Sequence, residues 1–151
     1  MRINITDAEE IWIIRIISQA VSALGLDAYL VGGLLRDALL HKESKDIDVL
    51  VMNDEGAQAL ARYLHTHRGF YPPILFKTYG TYRTIYAGWD IEIVPPRGST
   101  LEEDLCLRDF TVNTLVARLG GDYSDGLIVQ VEDRLGVALG DLERKILRTP
   151  I

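Results

Sequence analysis

The chain has 151 residues, 48% hydrophobic and 25% charged, with 16 basic against 22 acidic side chains and a net charge of −6. That length fits about one domain with an ordinary core, and the composition excludes disordered, collagen-like and disulfide-scaffold classes. The single cysteine, Cys106, excludes an internal disulfide and a cysteine-based zinc cluster, the acid excess argues against broad binding of nucleic acid by a basic surface, and the lack of a long apolar run or a signal-peptide plan predicts a cytoplasmic protein with no membrane partner.

In chain order, Thr6-Asp7-Ala8-Glu9 reads as a capping box. A helix is expected from there to about Leu24, with Ile14, Ile17, Val21 and Leu24 on one face and Gly25 ending it. Residues 28–31 are short and apolar, hence a buried strand. Gly32-Gly33 breaks that strand, and 34–41 is expected to be helical. A second strand is expected over 45–52, where Asp46 and Asp48 alternate with Ile47 and Val49. Asn53 to Gly56 is a turn and cap before a helix over 57–67. The Thr- and Tyr-rich stretch 78–87 and its partner 89–94 form a hairpin about Gly88, ended by Pro95-Pro96. Helices are expected over 101–107, 110–119 and 141–147, with a strand over 127–131. Helices mixed with a largely meandering sheet predict an α+β or mixed α/β fold.

The chemistry concentrates on the second strand. Asp46 and Asp48 point to one face, about 6.5–7 Å apart along the backbone, while Ile47 and Val49 point into the core. Two like charges side by side repel unless a cation lies between them. Magnesium takes oxygen ligands and keeps waters or substrate phosphates in its other positions, and paired carboxylates suit two-metal phosphoryl transfer. Taken alone, the pair reads more readily as exposed acids on a half-solvated strand. Gly32-Gly33 upstream lets backbone approach a phosphate closely, and Arg36 can clamp phosphate oxygens. Elsewhere the signals are structural. His65 and His67, two apart on a helix, do not face each other. Cys106 has no catalytic His neighbour, and Tyr79, Tyr82 and Tyr86 favour cross-strand packing over base stacking.

Leu30-Val31-Gly32-Gly33-Leu34-Leu35-Arg36-Asp37-Ala38-Leu39-Leu40, followed by Lys45-Asp46-Ile47-Asp48, resembles the head domain of class II CCA-adding tRNA nucleotidyltransferases. Bacterial poly(A) polymerases share that head, and both belong to the DNA polymerase β-like nucleotidyltransferases. Arg108-Asp109-Phe110-Thr111-Val112-Asn113 resembles a second family block, Arg-Asp-Phe-Thr-Ile-Asn. Asp133 through Gly140-Asp141-Leu142 to Arg148 is similar to the stretch that closes the head. The resemblance runs from about Tyr29 to Arg148. It implies an α+β fold with a small mixed sheet flanked by helices, the whole chain 1–151 being head, with neck, body and tail absent. It also implies catalytic and magnesium-binding roles for Asp46 and Asp48. Asp90 and Glu92 alternate on the partner strand and face one side, and Glu92 is a third carboxylate, a neighbour of the ligands, or equally a structural acid paired with Arg36 or Arg97. Gly32, Gly33, Arg36, Arg108 and Asp109 fall at nucleotide-contacting positions, Asp37 and Asp109 orienting the arginines or else packing or capping. Asn113 falls near the site.

The sequence also departs from the family. It stops where the head ends, so it is expected to be a fragment, a split subunit or a standalone domain. Arg97-Gly98-Ser99-Thr100 runs almost directly into the second block, where the family carries a flexible loop. A short loop marks relatives that add only CC. Leu107 replaces the first arginine of an Arg-Arg-Asp sequence, and Thr114 replaces an alanine. The implied activity is magnesium-dependent transfer from CTP and/or ATP to an RNA 3′ end, tRNA foremost, with CC addition favoured over CCA. The alternatives are a non-catalytic or split-subunit nucleotide-binding module needing a separate neck/body chain, and a nucleotidyltransferase with a non-RNA acceptor.

Overall fold

The structure, a computed structural model, describes residues 2–5, 7–43, 45–76, 80–120 and 127–150. Its elements in chain order are β1 (Arg2–Ile5), α1 (Ala8–Leu24), β2 (Ala28–Val31), α2 (Gly33–Leu39), β3 (Asp46–Val51), α3 (Asp54–Arg68) and β4 (Ile74–Phe76). There follow β5 (Thr81–Tyr86), β6 (Trp89–Val94), α4 (Leu101–Cys106), a 3₁₀ turn (Thr111–Asn113), β7 (Leu115–Arg118), β8 (Leu127–Asp133) and α5 (Ala138–Glu143). The described strands form one sheet in the order β1-β8-β7-β2-β3-β6-β5-β4. All neighbours are antiparallel except β3 and β6, which run parallel. The sheet is therefore mixed rather than largely meandering, because α3 and the β4–β5 strands return the chain to lie beside β3.

Strand alternation gives the sheet two unlike faces. Leu30, Ile47, Val49, Ile91, Ile93, Leu115 and Ala117 point into the main core, where α1 and α3 deliver Ile13, Ile14, Ile17, Leu60 and Leu64. On the opposite face Tyr29, Val31, Leu50 and Val116 form a smaller cluster with Leu101 and Leu105 of α4. The acidic residues of β3 and β6 lie on this second face, beyond the part that α4 covers. The long helices begin on side-chain caps: Asp7 accepts from the Glu10 amide at 2.8 Å and Asn53 from the Gly56 amide at 3.0 Å. The α1 cap thus falls on Asp7, and Thr6 lies outside the described residues. Gly25 ends α1 in the left-handed conformation, its amide donating to the Ser22 and Val21 carbonyls.

Several expectations are corrected. Residues 110–119 form the 3₁₀ turn and β7 rather than a helix. Val112, Leu115, Val116 and Leu119 sit at helical spacing only because β7 is covered on both faces, which makes it apolar without alternation. The last helix starts three residues early, since Asp133 at the end of β8 accepts from the Ala138 and Leu139 amides at 3.2 and 3.0 Å. Helix α3 likewise begins at Asp54, and α2 covers Gly33–Leu39. Strands β1 and β4 were not foreseen. Of the tyrosines, Tyr82 and Tyr86 pack on the main core, Tyr86 stacking on Phe70 at 4.3 Å, while Tyr79 lies outside the described residues. His65 meets the Phe70 carbonyl at 2.8 Å, His67 tilts against Tyr63, and Cys106 is half-buried. Among the described residues no helix is long and apolar enough to cross a membrane.

The third sequence block acts as a clasp. Buried Asp141 accepts from Arg148 through Nε at 3.0 Å and through Nη2, and from the Thr111 hydroxyl at 2.5 Å. The Arg148 carbonyl accepts from the Thr111 amide at 2.9 Å. The Arg148 and Thr111 hydrogen bonds hold the Asp141 carboxyl down from 3.8 to about 2. A folded-state value below the unfolded one means stability that is present above about pH 4 and lost as the pH falls toward 2. Asp141→Asn is expected to lower the unfolding temperature at pH 7. Its gap from wild type should shrink steadily in thermal melts taken from pH 4 down to pH 2.

Candidate active site

Three backbone segments build the site. At the end of β2 the chain turns through Gly32, whose φ of 77° and ψ of −150° belong to glycine alone. A Cβ on Gly32 would stand 2.5 Å from Asp48 Oδ2, so the turn lies directly against that carboxylate. Antiparallel pairing sets Val31 opposite Asp48. Parallel pairing then sets Asp46 opposite Asp90 and Asp48 opposite Glu92. Asp46, Asp48, Asp90 and Glu92, with Arg83 of β5, line a cavity of about 270 Å³.

These carboxylates are not equivalent. Burial, reinforced by the charges of Glu92 and Asp46 and opposed by Arg108, pushes Asp48 from 3.8 up to about 6. Asp90 is instead held below the ordinary carboxylate range by Arg83, which donates from Nε at 2.8 Å and from Nη2 at 2.9 Å. Arg83 thus satisfies one acid of the cluster and leaves Asp48 in an under-neutralised negative field. Sequence reasoning missed Arg83. Only its register, opposite Glu92 across β5 and β6, brings it here.

Two arginines flank the carboxylates. Arg36 donates to Asp37 from Nε at 3.0 Å and to Asn113 Oδ1 from Nη1 at 2.7 Å, so the first and second sequence blocks meet through it. A Cβ on Gly33 would come within 2.8 Å of Arg36 Nη2, the far end of a flexible side chain. Arg108 approaches Asp104 at 3.5 Å, and its buried Nε has no hydrogen-bond partner. It shares with Asp48, Glu92, Arg83 and Arg97 a second cavity of about 430 Å³. Asp37 does orient Arg36, but Asp109 does not orient Arg108. Asp109 is exposed and accepts from the Phe110 amide at 3.1 Å, a local turn contact. The orienting acid is Asp104, which is buried and also accepts from the Arg97 amide at 2.9 Å. Its position one helical turn before Arg108 is the signal that could have found it. Leu107, where the family pattern has arginine, points outward and is 50% exposed.

The donor set fits a hard divalent cation. The acceptors at the cluster are all carboxylates, Arg83 occupying Asp90 alone, and Asp48 carries the uncompensated charge that a cation would relieve. Among the described residues no group of three or more His, Cys, Asp or Glu side chains is arranged to hold an ion. Magnesium commonly takes only one or two carboxylates from a protein, with waters and substrate phosphates completing its shell.

With this geometry in place, the comparisons with known proteins decide the family. Residues 28–148 match the family described as the Poly A polymerase head domain. The chain belongs to that family. It is 38% identical over 128 residues to a CC-adding tRNA nucleotidyltransferase of Geobacter sulfurreducens, covering 82% of this chain and 27% of that protein. The fold superposes on a solved tRNA-processing enzyme in apo form with a TM-score of 0.78 and 32% identity, covering 98% of this chain and 38% of that one. It also matches a tRNA nucleotidyltransferase complexed with a primer tRNA and an incoming ATP analog, with a TM-score of 0.71 and 30% identity over 89% of this chain and 39% of that one. The head-domain match takes in all three sequence blocks, from Gly32-Gly33 to Arg148. The chain spans between about a quarter and two fifths of the length of these relatives.

Proposed function

We propose that this chain is the catalytic head of a magnesium-dependent nucleotidyltransferase that transfers a nucleotide from CTP and/or ATP to the 3′ end of tRNA. The observation that carries this reading is the in-register pairing of Asp48 with Glu92 beside the Gly32 turn, with Asp46 and the Arg108 cavity alongside. Asp46 and Asp48 would hold magnesium, with Glu92 next to them. Bound there, the ion supplies charge neutralisation and a lowered pKa for an attacking hydroxyl. The chain's own residues supply the rest. Gly32 lets the turn lie against the Asp48 carboxylate, and Gly33 leaves room for the Arg36 guanidinium. Arg36 and Arg108 would supply charge to phosphate oxygens, Arg108 from the cavity it shares with Asp48. Asp37, Asn113 and Asp104 hold those arginines in place, so that positioning and charge do most of the work, as phosphoryl transfer requires.

CC addition is favoured over full CCA addition. The stretch between β6 and α4 is short and fastened: Ser99 donates to Glu103 Oε2 from its amide at 2.8 Å and from its hydroxyl at 2.9 Å. The Arg97 amide is fixed on Asp104. Such a segment has little freedom to reshape the site between nucleotides. Grip on the tRNA body would come from outside the head domain.

The test is incorporation of labelled CTP and of labelled ATP, each alone, on tRNA ending at the discriminator base and on tRNA ending in CC. Incorporation from CTP on the first tRNA, with none from ATP on the second, is expected. Adding the remaining portion of a longer relative in trans should raise the rate. No incorporation from either nucleotide under both conditions would overturn the reading.

A further inference from the structure

We propose that the exposed apolar strip at the free edge of the sheet, centred on Phe76, is a nucleobase platform of the active site. The proposal rests on the nucleotide-transfer reading and names the surface that would hold a base.

Strand register places the strip. Phe76 pairs with Thr81 and Ile74 with Arg83 across β4 and β5. Arg83 pairs with Glu92 and Ile85 with Asp90 across β5 and β6. Directly paired residues point to the same side of a sheet. Ile74, Phe76 and Ile85 therefore share the face of Arg83, Asp90 and Glu92. Helix α4 covers the other half of that face through Tyr29, Val31, Leu50 and Val116. The β4–β5 half stays open, with Ile74 62%, Phe76 45% and Ile85 40% exposed.

Continuity with the site identifies the occupant. Phe76 borders the same 430 Å³ cavity as Asp48, and Arg83, Arg97 and Arg108 border it too. A ligand filling that cavity meets the Phe76 side chain, positive charge for phosphate and a carboxylate at the reacting end. A nucleobase joined to phosphate has that combination of an apolar π face and an anion. Single strands and RNA ends are commonly held in this way, by aromatic side chains that accept any base beside basic groups that hold the backbone. The base could belong to the incoming nucleotide or to the acceptor's 3′ terminus, and the two sources are separable.

The test compares wild type with Phe76→Leu, which keeps apolar bulk but loses the π face, and Phe76→Trp, which enlarges it. Equilibrium binding of CTP, of ATP and of a short RNA ending in CC is measured in magnesium buffer, with KM and kcat for each substrate and a thermal melt for each variant. Phe76→Leu is expected to weaken binding and raise KM about 5- to 150-fold for the nucleotides or for the RNA. The substrate affected identifies the base. Phe76→Trp should retain or tighten that binding, with kcat and the unfolding temperature nearly unchanged in both variants. Three results would overturn the platform: both ligands binding Phe76→Leu within twofold of wild type, equal weakening in the leucine and tryptophan variants, or a wild-type dimer that Phe76→Leu dissociates. The last would make the edge a face for a second copy. If wild type incorporates nothing while binding still depends on Phe76, the transfer reading fails and the platform stands. Normal incorporation with indifferent Phe76 variants gives the reverse.

Discussion

Asp48→Asn is expected to lower nucleotide incorporation by at least about 1,000-fold while making the metal-free protein more stable. The loss corresponds to about 4 kcal/mol of transition-state stabilisation, the scale seen when one preorganised electrostatic partner is removed. The gain has the opposite origin. Burial beside Glu92 and Asp46 raises the Asp48 carboxyl to about 6, so at pH 8 the folded protein carries a charge it would rather lose. Asparagine keeps the shape and removes that charge. With solvent screening allowed for, a gain of about 1–2 kcal/mol is expected in EDTA at pH 8. Added magnesium should then raise the melting temperature of wild type more than that of the variant, because only wild type retains both acids. An incorporation assay and two melting series check all three statements. A variant that is inactive because it is unfolded would contradict the second.

Gly32→Ala is expected to damage both stability and turnover, and Gly33→Ala far less. Alanine at Gly32 must adopt a φ near 77°, and its Cβ would stand 2.5 Å from Asp48 Oδ2. The backbone strain alone costs about 1–3 kcal/mol. The collision adds more, because Asp48 is held by the β2–β3 and β3–β6 ladders on both sides. A total loss of about 2–4 kcal/mol is expected by urea unfolding. Displacing Asp48 by even an ångström should cost about 100-fold in kcat/KM. At Gly33 the added Cβ meets the Nη2 end of Arg36, which can give by a small shift that loosens its hold on Asp37 and Asn113. There the expected result is a stability change below about 1 kcal/mol and a several-fold higher KM for the nucleotide. Equal damage at the two glycines would remove the distinction between a strained turn and a flexible contact.

Much of the site was legible from local pattern. Asp46 and Asp48 alternate with Ile47 and Val49, and those two residues are fully buried. Asp90 and Glu92 face one side of β6 as their spacing implies. What the sequence hides is pairing at long range. Arg83 lies in a Thr- and Tyr-rich strand with nothing to mark it, and its bidentate grip on Asp90 exists only because β5 folds back on β6. β7 was mistaken for a helix because Leu115 and Ala117 face one cluster while Val116 faces the other, which erases period two. β4 is three consecutive exposed apolar residues on an edge, too short for any period to emerge. Asp104 and Asp109 show the same limit at close quarters. Both are acids near Arg108, and only the turn of α4 decides which one meets it.

The parallel β3–β6 ladder has a consequence for which changes the gene can tolerate. The spacing of Asp46, Asp48, Asp90 and Glu92 is set by backbone hydrogen bonds, whatever their side chains do. Apart from the Gly32 turn, side chains around the cluster can therefore vary one at a time without moving it. A codon gained or lost within either strand is a different matter. It reverses inside and outside for the rest of that strand, sending carboxylates to where Ile47 and Ile91 now lie and apolar groups into the cleft. Length within these strands is thus under tighter constraint than composition, and room for insertions lies in the turns outside the ladder.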